Sequence, residues 1–381
     1  MKKTNVILIS LDGFRADVSY SGKFPTLTEL IGRGVTFKNV VSQAPLTPVS
    51  HASVLTGLMP PRHGIRHLFL EQLSDGVETI GTILKKDGYQ THAVISCPGL
   101  HSWYGHNKGF DTYDDKLPLG PDGKDALFTV DVKARGEATK RAEDVVKKAL
   151  KLADSISNDP FFFFLHFFDA HWPYSPPLPY KKDYIDNPYE GEIAYIDKML
   201  GDLINNFSNK GLLKNTILVI FSDHGEDLNG LYPNDHGDEH PEEEGHGCLL
   251  YDATQLVPLI IVFPDRYKFD NINIEEQVRL VDITPTLLDI LKIDSKINFD
   301  GKSLMRHING EGKDLIGYCE THYPMENSDT LKKYPLIRNL KAVRIRSATH
   351  EFKVIWQIDG DIVEVYDLLN DPNERKNLLS I

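Results

Sequence analysis

The sequence predicts an α/β fold: a large, mostly parallel central sheet flanked by helices on both faces, followed by a small C-terminal antiparallel α+β subdomain. Three observations carry this reading. Short apolar runs at Asn5–Leu11, Phe161–Phe168, Thr216–Phe221 and Leu256–Phe263 have the character of strands buried on both faces. Segments with helical spacing lie between them, the alternation expected of a parallel sheet. Beyond about Gly310 the pattern becomes short alternating runs, with a hairpin signal at Asp359-Gly360. The expected division is therefore a large α/β domain over residues 1–309 and a small antiparallel subdomain over 310–381.

Taken in order, the first strand ends at Asp12-Gly13, and Phe14 to Tyr20 is expected to loop over its end. Arg15 in that loop is a candidate for binding a substrate oxygen, or equally for a surface salt bridge. Pro25 to Ile31 reads as a short helix opened by proline and closed near Gly32 and Gly34, and Val35 to Val41 as a strand. That strand leads to Ala44–Gly57, where Thr47 sits between turn-forming prolines and Ser50 suits the N-cap of the following helix. Thr47 would face exposed N–H groups at a helix N-terminus, a place that suits an anion. It is the candidate nucleophile.

Val77 to Lys86 has amphipathic helical spacing, and Gln90 to Ser96 reads as a strand. The Gly-, Pro- and aromatic-rich region Cys97 to Asp131 is expected to form a long rim loop, from which His101, Trp103, Tyr104 and His106 could shape substrate choice. Glu137 to Ile156 reads as a surface helix, and the Phe-rich strand delivers Asp169 and His171 to the same edge as Asp12. Tyr189 to Phe207 is a helix feeding the strand that ends at Asp223-His224. His236, His240 and His246 follow among acidic residues, then a core strand at Leu256 and a helix over Val281–Leu291.

Composition narrows the function. A chain of 381 residues with 41% hydrophobic content can bury a sizeable core. Its formal charge of −13 argues against coating a nucleic acid or an anionic membrane. A small anionic ester as substrate must then be drawn by local positive charge, which bound cations supply. Cys97, Cys248 and Cys319 are too few and too scattered for a disulfide framework or zinc cluster, so they read as reduced thiols in a cytoplasmic protein. The Met1-Lys2-Lys3 start imitates a signal peptide, but its apolar part breaks at Asp12, and eight residues from Phe161 cannot span a bilayer. Homo-oligomerisation is left open.

In open α/β sheets the ligand site lies beyond the carboxyl ends of the strands. Asp12, Asp223 and His224 are expected to converge there as metal ligands, with Thr47 as a further oxygen ligand. A threonine hydroxyl is a poor nucleophile unless a base or a cation lowers its pKa.

Several motifs in order resemble the alkaline phosphatase superfamily, and within it the sulfatase branch. They are Ile9 to Asp17, Pro48 to Gly57 with Pro60 to Gly64, Phe168 to Tyr174, Ser222 to Glu226, Glu244 to Gly247, Leu250 to Asp252, and Val365 to Leu368 with Asp371-Pro372. The resemblance implies a divalent metal, one or two ions (Zn, Mn, Mg or Ca). It implies that Asp169, His171 and His246 hold a second ion or contact the transferred group, and that His51 stands where the family usually has Arg. Sulfatases carry a Cys or Ser at the position of Thr47 and oxidise it to formylglycine, which threonine cannot become because its Cβ carries a methyl group. They also have two successive aspartates where this chain has Asp12-Gly13. These departures are similar to the nucleotide pyrophosphatase/phosphodiesterase branch, which uses a plain Thr. Asp169 and His171, only two apart, depart in turn from that branch's wider spacing. The expected function is a phosphodiesterase or phosphonate ester hydrolase acting through a covalent phospho-threonine, with Thr47, His51, His171 and His246 as catalytic residues and Arg15 and His101 as substrate contacts. The alternatives are a sulfatase and a non-catalytic relative that binds metal and anion; the sulfatase-like C-terminal end argues against a phosphomutase.

Overall fold

The computed structural model describes residues 3–119, 139–156, 160–232, 235, 245–326, 332 and 338–379. In chain order its principal elements are β1 (Asn5–Leu11), α1 (Pro25–Arg33), β2 (Val35–Val41), α2 (Thr47–Thr56), α3 (Ile80–Lys86), β3 (Gln90–Val94), β4 (Thr112–Asp114), α4 (Ala142–Ala153), β5 (Phe161–Phe167), α5 (Pro188–Asn209), β6 (Thr216–Phe221), β7 (Leu256–Val262), β8 (Ile272–Arg279), α6 (Ile283–Leu291), β9 (Gly317–Thr321), β10 (Leu340–Arg346), β11 (Glu351–Gln357) and β12 (Ile362–Asp367). The first eight strands form one sheet in the order β4-β3-β5-β1-β6-β7-β2-β8, and the last four a second in the order β12-β11-β10-β9. In the large sheet β7 runs antiparallel to both neighbours, and the other pairings are parallel.

The central strands are apolar throughout because both faces are covered. Along β5 the side chains alternate: Phe162 and Phe164 pack with α2, α3 and α6 on one face, while Phe161, Phe163 and Phe167 pack with α1, α4 and α5 on the other. The structure departs from sequence expectation in a few local places. Phe14 to Tyr20 is not all loop, since Ala16–Ser19 makes one helical turn. The rim region contributes a short edge strand, β4. The strand β8 escaped notice because its INIEEQVR pattern mixes polar residues, as an edge strand allows. The helix α2 begins at Thr47, not after a Ser50 cap. Pro48 is tolerated in the first turn, where its missing N–H has no partner to lose. The Ser50 hydroxyl instead donates to the Asp223 carbonyl at 2.8 Å, beside the Ser42 hydroxyl at 2.5 Å. No helix among the described residues is long and apolar enough to cross a membrane.

Buried charge joins the two sheets. Lys353 Nζ on β11 lies 2.7 Å from both Asp252 and Glu374, Arg344 Nε on β10 lies 3.2 Å from Asp252, and the Asp252 N–H donates to Glu374 at 2.6 Å. A second tie runs from Arg66, whose guanidinium grips the Glu320 carboxylate of β9 at 2.6 and 3.1 Å. Burial alone would raise the Glu320 carboxyl, but bonds from His322, Arg66 and Tyr318 hold it down at about 2.

Two predictions follow from these ties. Lys353→Met removes the buried cation that both Asp252 and Glu374 face, and urea denaturation should show a loss of about 3–5 kcal/mol. A carboxyl depressed in the native state contributes stability that is present above its unfolded pKa of about 4.3 and lost as the pH falls toward 2. Glu320→Gln should therefore flatten the acid limb of a stability curve in that window; an unchanged acid limb refutes the assignment.

Candidate active site

Parallel register brings the site together. Ser10 on β1 is level with Phe221 on β6 and with His166 on β5, so the residues just past these strands meet at one edge. Asp12, Asp223 and His224 there are all fully buried. His224 Nε2 lies 3.5 Å from Asp12 Oδ1 and 3.4 Å from Asp223 Oδ2. Thr47 Oγ1, on the first residue of α2, is 3.4 Å from the same nitrogen and 3.2 Å from Asp12 Oδ2.

These residues fit a cation. The Nδ1–H of His224 donates to the Gly225 carbonyl at 2.9 Å, so a neutral ring turns its Nε2 lone pair toward the carboxylates. Asp12 Oδ1 and both Asp223 oxygens find no hydrogen-bond partner among the described residues. Lone pairs facing each other in a buried space are costly unless positive charge lies between them. Without it, burial pushes the Asp12 carboxyl up to about 7. Two carboxylates, an imidazole and a hydroxyl suit a divalent ion.

The imidazoles around this centre are held in defined orientations. His51 Nδ1 donates to the Thr47 carbonyl at 2.8 Å, and Nε2 meets the Ser10 hydroxyl at 2.8 Å. Burial pushes that ring down to about 3, so it is neutral, and it ties the Thr47 carbonyl at the start of α2 to Ser10 on β1. His171 Nδ1 donates to the Trp172 carbonyl at 2.6 Å, its ring stacks on Phe168, and it meets His246 edge-on at 4.7 Å. His246 lies 3.9 Å from the His224 ring, centre to centre. His171 and His246 are partly exposed, which places them at the mouth.

Glu226 is a site residue for which sequence reasoning gave no role. It is fully buried, and its Oε1 lies 2.9 Å from His246 Nδ1, while Oε2 has no partner among the described residues. Burial pushes this carboxyl up and His246 down to about 4, so the pair shares one proton. Gly13 makes room for it. With φ of +65° the backbone there is left-handed, and a Cβ would come within 2.9 Å of Glu226 Oε2. Two further missed residues are Cys97 and His166, whose ligand atoms group with Asp12 within 4.8 Å of one another. The available signal was a lone histidine in a strand otherwise apolar on both faces.

Other candidates stand elsewhere. Asp169 belongs to neither group of converging ligand atoms found among the described residues. Its Oδ1 is 3.0 Å from Arg141 Nε and accepts the Ala142 N–H at 3.1 Å, so it anchors the start of α4. Arg15 is neither a surface bridge nor free for substrate: it is buried, paired with Asp17 and Asp235, bonded to the Glu226 carbonyl and laid over the Tyr232 ring. His101 accepts the Trp103 N–H at 3.0 Å and lies 3.8 Å from Asp115, which turns it to the folding of its own loop. Tyr104 and His106 are core residues, with His106 bonded to the Pro48 carbonyl. His236 and His240 lie outside the described residues.

Comparison with known proteins agrees with this fold. Rat Arylsulfatase K is 24% identical over 98% of this chain and 74% of its own length. The bovine Arylsulfatase K is 31% identical over 50% of this chain, a stretch that spans only 32% of that protein. In three dimensions the phosphonate monoester hydrolase of Agrobacterium radiobacter superposes with a TM-score of 0.77 over 99% of this chain and 91% of its own, at 19% identity, a likeness of fold. A model of the N-sulphoglucosamine sulphohydrolase C-terminal region matches residues 247–380. The Sulfatase family model matches residues 4–293, so the chain belongs to the Sulfatase family.

Proposed function

We propose that this chain is a metal-dependent hydrolase of a small anionic ester, with Thr47 as the nucleophile. The observation that carries the reading is the Thr47 hydroxyl at the first position of α2, bonded to Asp12 Oδ2 and 3.4 Å from His224 Nε2, in a cluster where Asp12 Oδ1 and both Asp223 oxygens have no hydrogen-bond partner among the described residues. A divalent cation at Asp12, Asp223, His224 and Thr47 supplies the positive charge that draws an anionic ester and lowers the pKa of the hydroxyl.

The chain's own groups do the rest. Asp12 Oδ2, at 3.2 Å, accepts the hydrogen bond of the Thr47 hydroxyl and orients it, and the hydroxyl's proton passes to solvent water. Oγ1 then attacks the central atom of the ester, forming one bond as that to the leaving alkoxide breaks. His246, with Nδ1 facing Glu226, has Nε2 free to give a proton to the leaving oxygen, and His171, whose Nδ1–H is donated to the Trp172 carbonyl, has an Nε2 lone pair to take one from the water that frees Thr47. Glu226 holds His246 in place, and His51 holds the Thr47 carbonyl.

The ester class best supported by the curated relatives is a sulfate ester, since they are arylsulfatases by name. A second reading, a phosphodiester or phosphonate ester, is favoured by Thr47 itself, which cannot become the formylglycine of sulfatases. The three buried cysteines, none in a disulfide, support a reducing compartment such as the cytoplasm.

Metal-reconstituted protein should be assayed side by side on a nitrophenyl sulfate, a phosphodiester and a phosphonate monoester. Fastest turnover of sulfate supports the first reading, and preference for either phosphorus ester the second. In both cases Thr47→Ala should lower kcat/KM by on the order of 10³-fold or more, with Thr47→Ser retaining part of the activity. A fully active Thr47→Ala removes the nucleophile from the mechanism. Independently, thermal melts should show a rise on adding manganese or zinc to chelated protein, equivalent to about 2.7 kcal/mol at a hundredfold excess over Kd. Asp223→Asn should abolish most of that rise; an equal rise in the variant would place the ion elsewhere.

A further inference from the structure

We propose that Asp12 is a bridging carboxylate, and that its second oxygen joins His166 and Cys97 in a further cation site of softer character beside Thr47. The proposal rests on the reading of the first site in that both share Asp12.

The three residues come from separate parts of the chain: Asp12 follows β1, His166 lies on β5, and Cys97 follows β3. All three are buried, and their ligand atoms lie within 4.8 Å of one another. The two oxygens of Asp12 face different ways: Oδ1 is 3.5 Å from His224 Nε2, and Oδ2 is 3.1 Å from His166 Nε2. The other nitrogen of His166 is engaged. Ser96 Oγ lies 2.8 Å from both the His166 carbonyl and His166 Nδ1. A hydroxyl has one proton. Given to the carbonyl, which can only accept, it makes Nδ1–H the donor to Oγ and leaves a neutral ring with its Nε2 lone pair toward Asp12. Two lone pairs then face each other at 3.1 Å in a dry interior, as they do at the first site. A cation between them removes the conflict.

Cys97 completes the set. Burial and the nearby Asp12 and Asp223 carboxylates push the Cys97 thiol well up, so the thiolate forms only with a cation beside it, and the N–H groups of Gly99 and Leu100 already bond to its sulfur. Gly99 also lies against Thr47, since a Cβ on it would stand 3.1 Å from the threonine Cβ, so this turn lies beside the nucleophile. The cysteines are scattered in sequence, and only folding brings this one to a histidine and a carboxylate. One sulfur, one imidazole nitrogen and one carboxylate oxygen are three protein ligands with a fourth position open, a set that selects zinc or cobalt over magnesium or calcium. On binding, the Cys97 thiol gives up its proton to solvent and the sulfur donates its pair to the ion.

The test is a titration of the metal-free full chain with cobalt(II), followed by absorbance and by metal analysis after desalting. The expected result is two equivalents, one of them with a near-ultraviolet thiolate-to-cobalt charge-transfer band. Cys97→Ser should lose that band and one equivalent, and His166→Gln should lose one equivalent, while Asp223→Asn should keep the band. One equivalent without a thiolate band in the unaltered protein overturns this proposal and leaves the first site standing; no bound cobalt overturns both. Should Cys97→Ser fail to fold, the spectrum of the unaltered chain decides the matter, and two equivalents with no thiolate band would also overturn it.

Discussion

Two carboxylates buried against the bare nitrogen of His224 are the constraint on which the rest of this structure depends. Asp12 and Asp223 are fully buried, and three of their four oxygens have no hydrogen-bond partner among the described residues. Such a cluster is costly unless a cation neutralises it, and it would relax if the surrounding backbone gave way. The backbone is braced against that. Both residues follow strands in the middle of an eight-stranded sheet, and the Asp223 carbonyl is held by the Ser42 and Ser50 hydroxyls. The alternating Phe residues of β5 fill both faces next door. A stiff hydrophobic scaffold thus holds polar groups in an arrangement they would not choose.

Thr47, the proposed nucleophile, depends on the same bracing. Thr47 is placed by the first turn of α2, a helix whose residues are all buried. Its carbonyl is held by His51, which in turn is tied to Ser10 on β1, so the helix start and the ligand-bearing strand move as one. The small sheet is joined to the large one in a comparable way. Tyr251 and Asp252 in the Leu250-Tyr251-Asp252 motif point away from chemistry and toward Glu364, Lys353 and Arg344. A motif can therefore recur for an interface as well as for a reaction.

How much of this was legible in the sequence follows from the physics of each residue. Asp12, Asp223 and His224 were readable because an apolar run ending in a carboxylate marks a strand end, and strand ends are where open α/β sheets bind. Thr47 was readable from its prolines, although the helix start was placed a turn late, because Ser50 serves Asp223 and not the helix N-terminus. His166 was hidden inside a strand with no polar face to announce it. Cys97 and Asp12 are far apart in sequence, and no local pattern encodes their meeting. Arg15 and Asp169 carried the right charge, but their partners, Asp235 and Arg141, lie on segments whose approach no spacing rule gives.

Gly13 bears on how charge is distributed in such a centre. The space that a side chain at this position would take is already occupied by the Glu226 carboxylate, which arrives from beyond β6. The acidic group missing from one strand end is thus supplied by the neighbouring one, and the tally of negative charge around the ligands is kept in space though not in order along the chain. Introducing an aspartate at Gly13 would set two carboxylates in one slot on a left-handed backbone. Restoring a sulfatase-like pair here is therefore an exchange between two strands rather than a single replacement, and any redesign of this centre has to move both acids together.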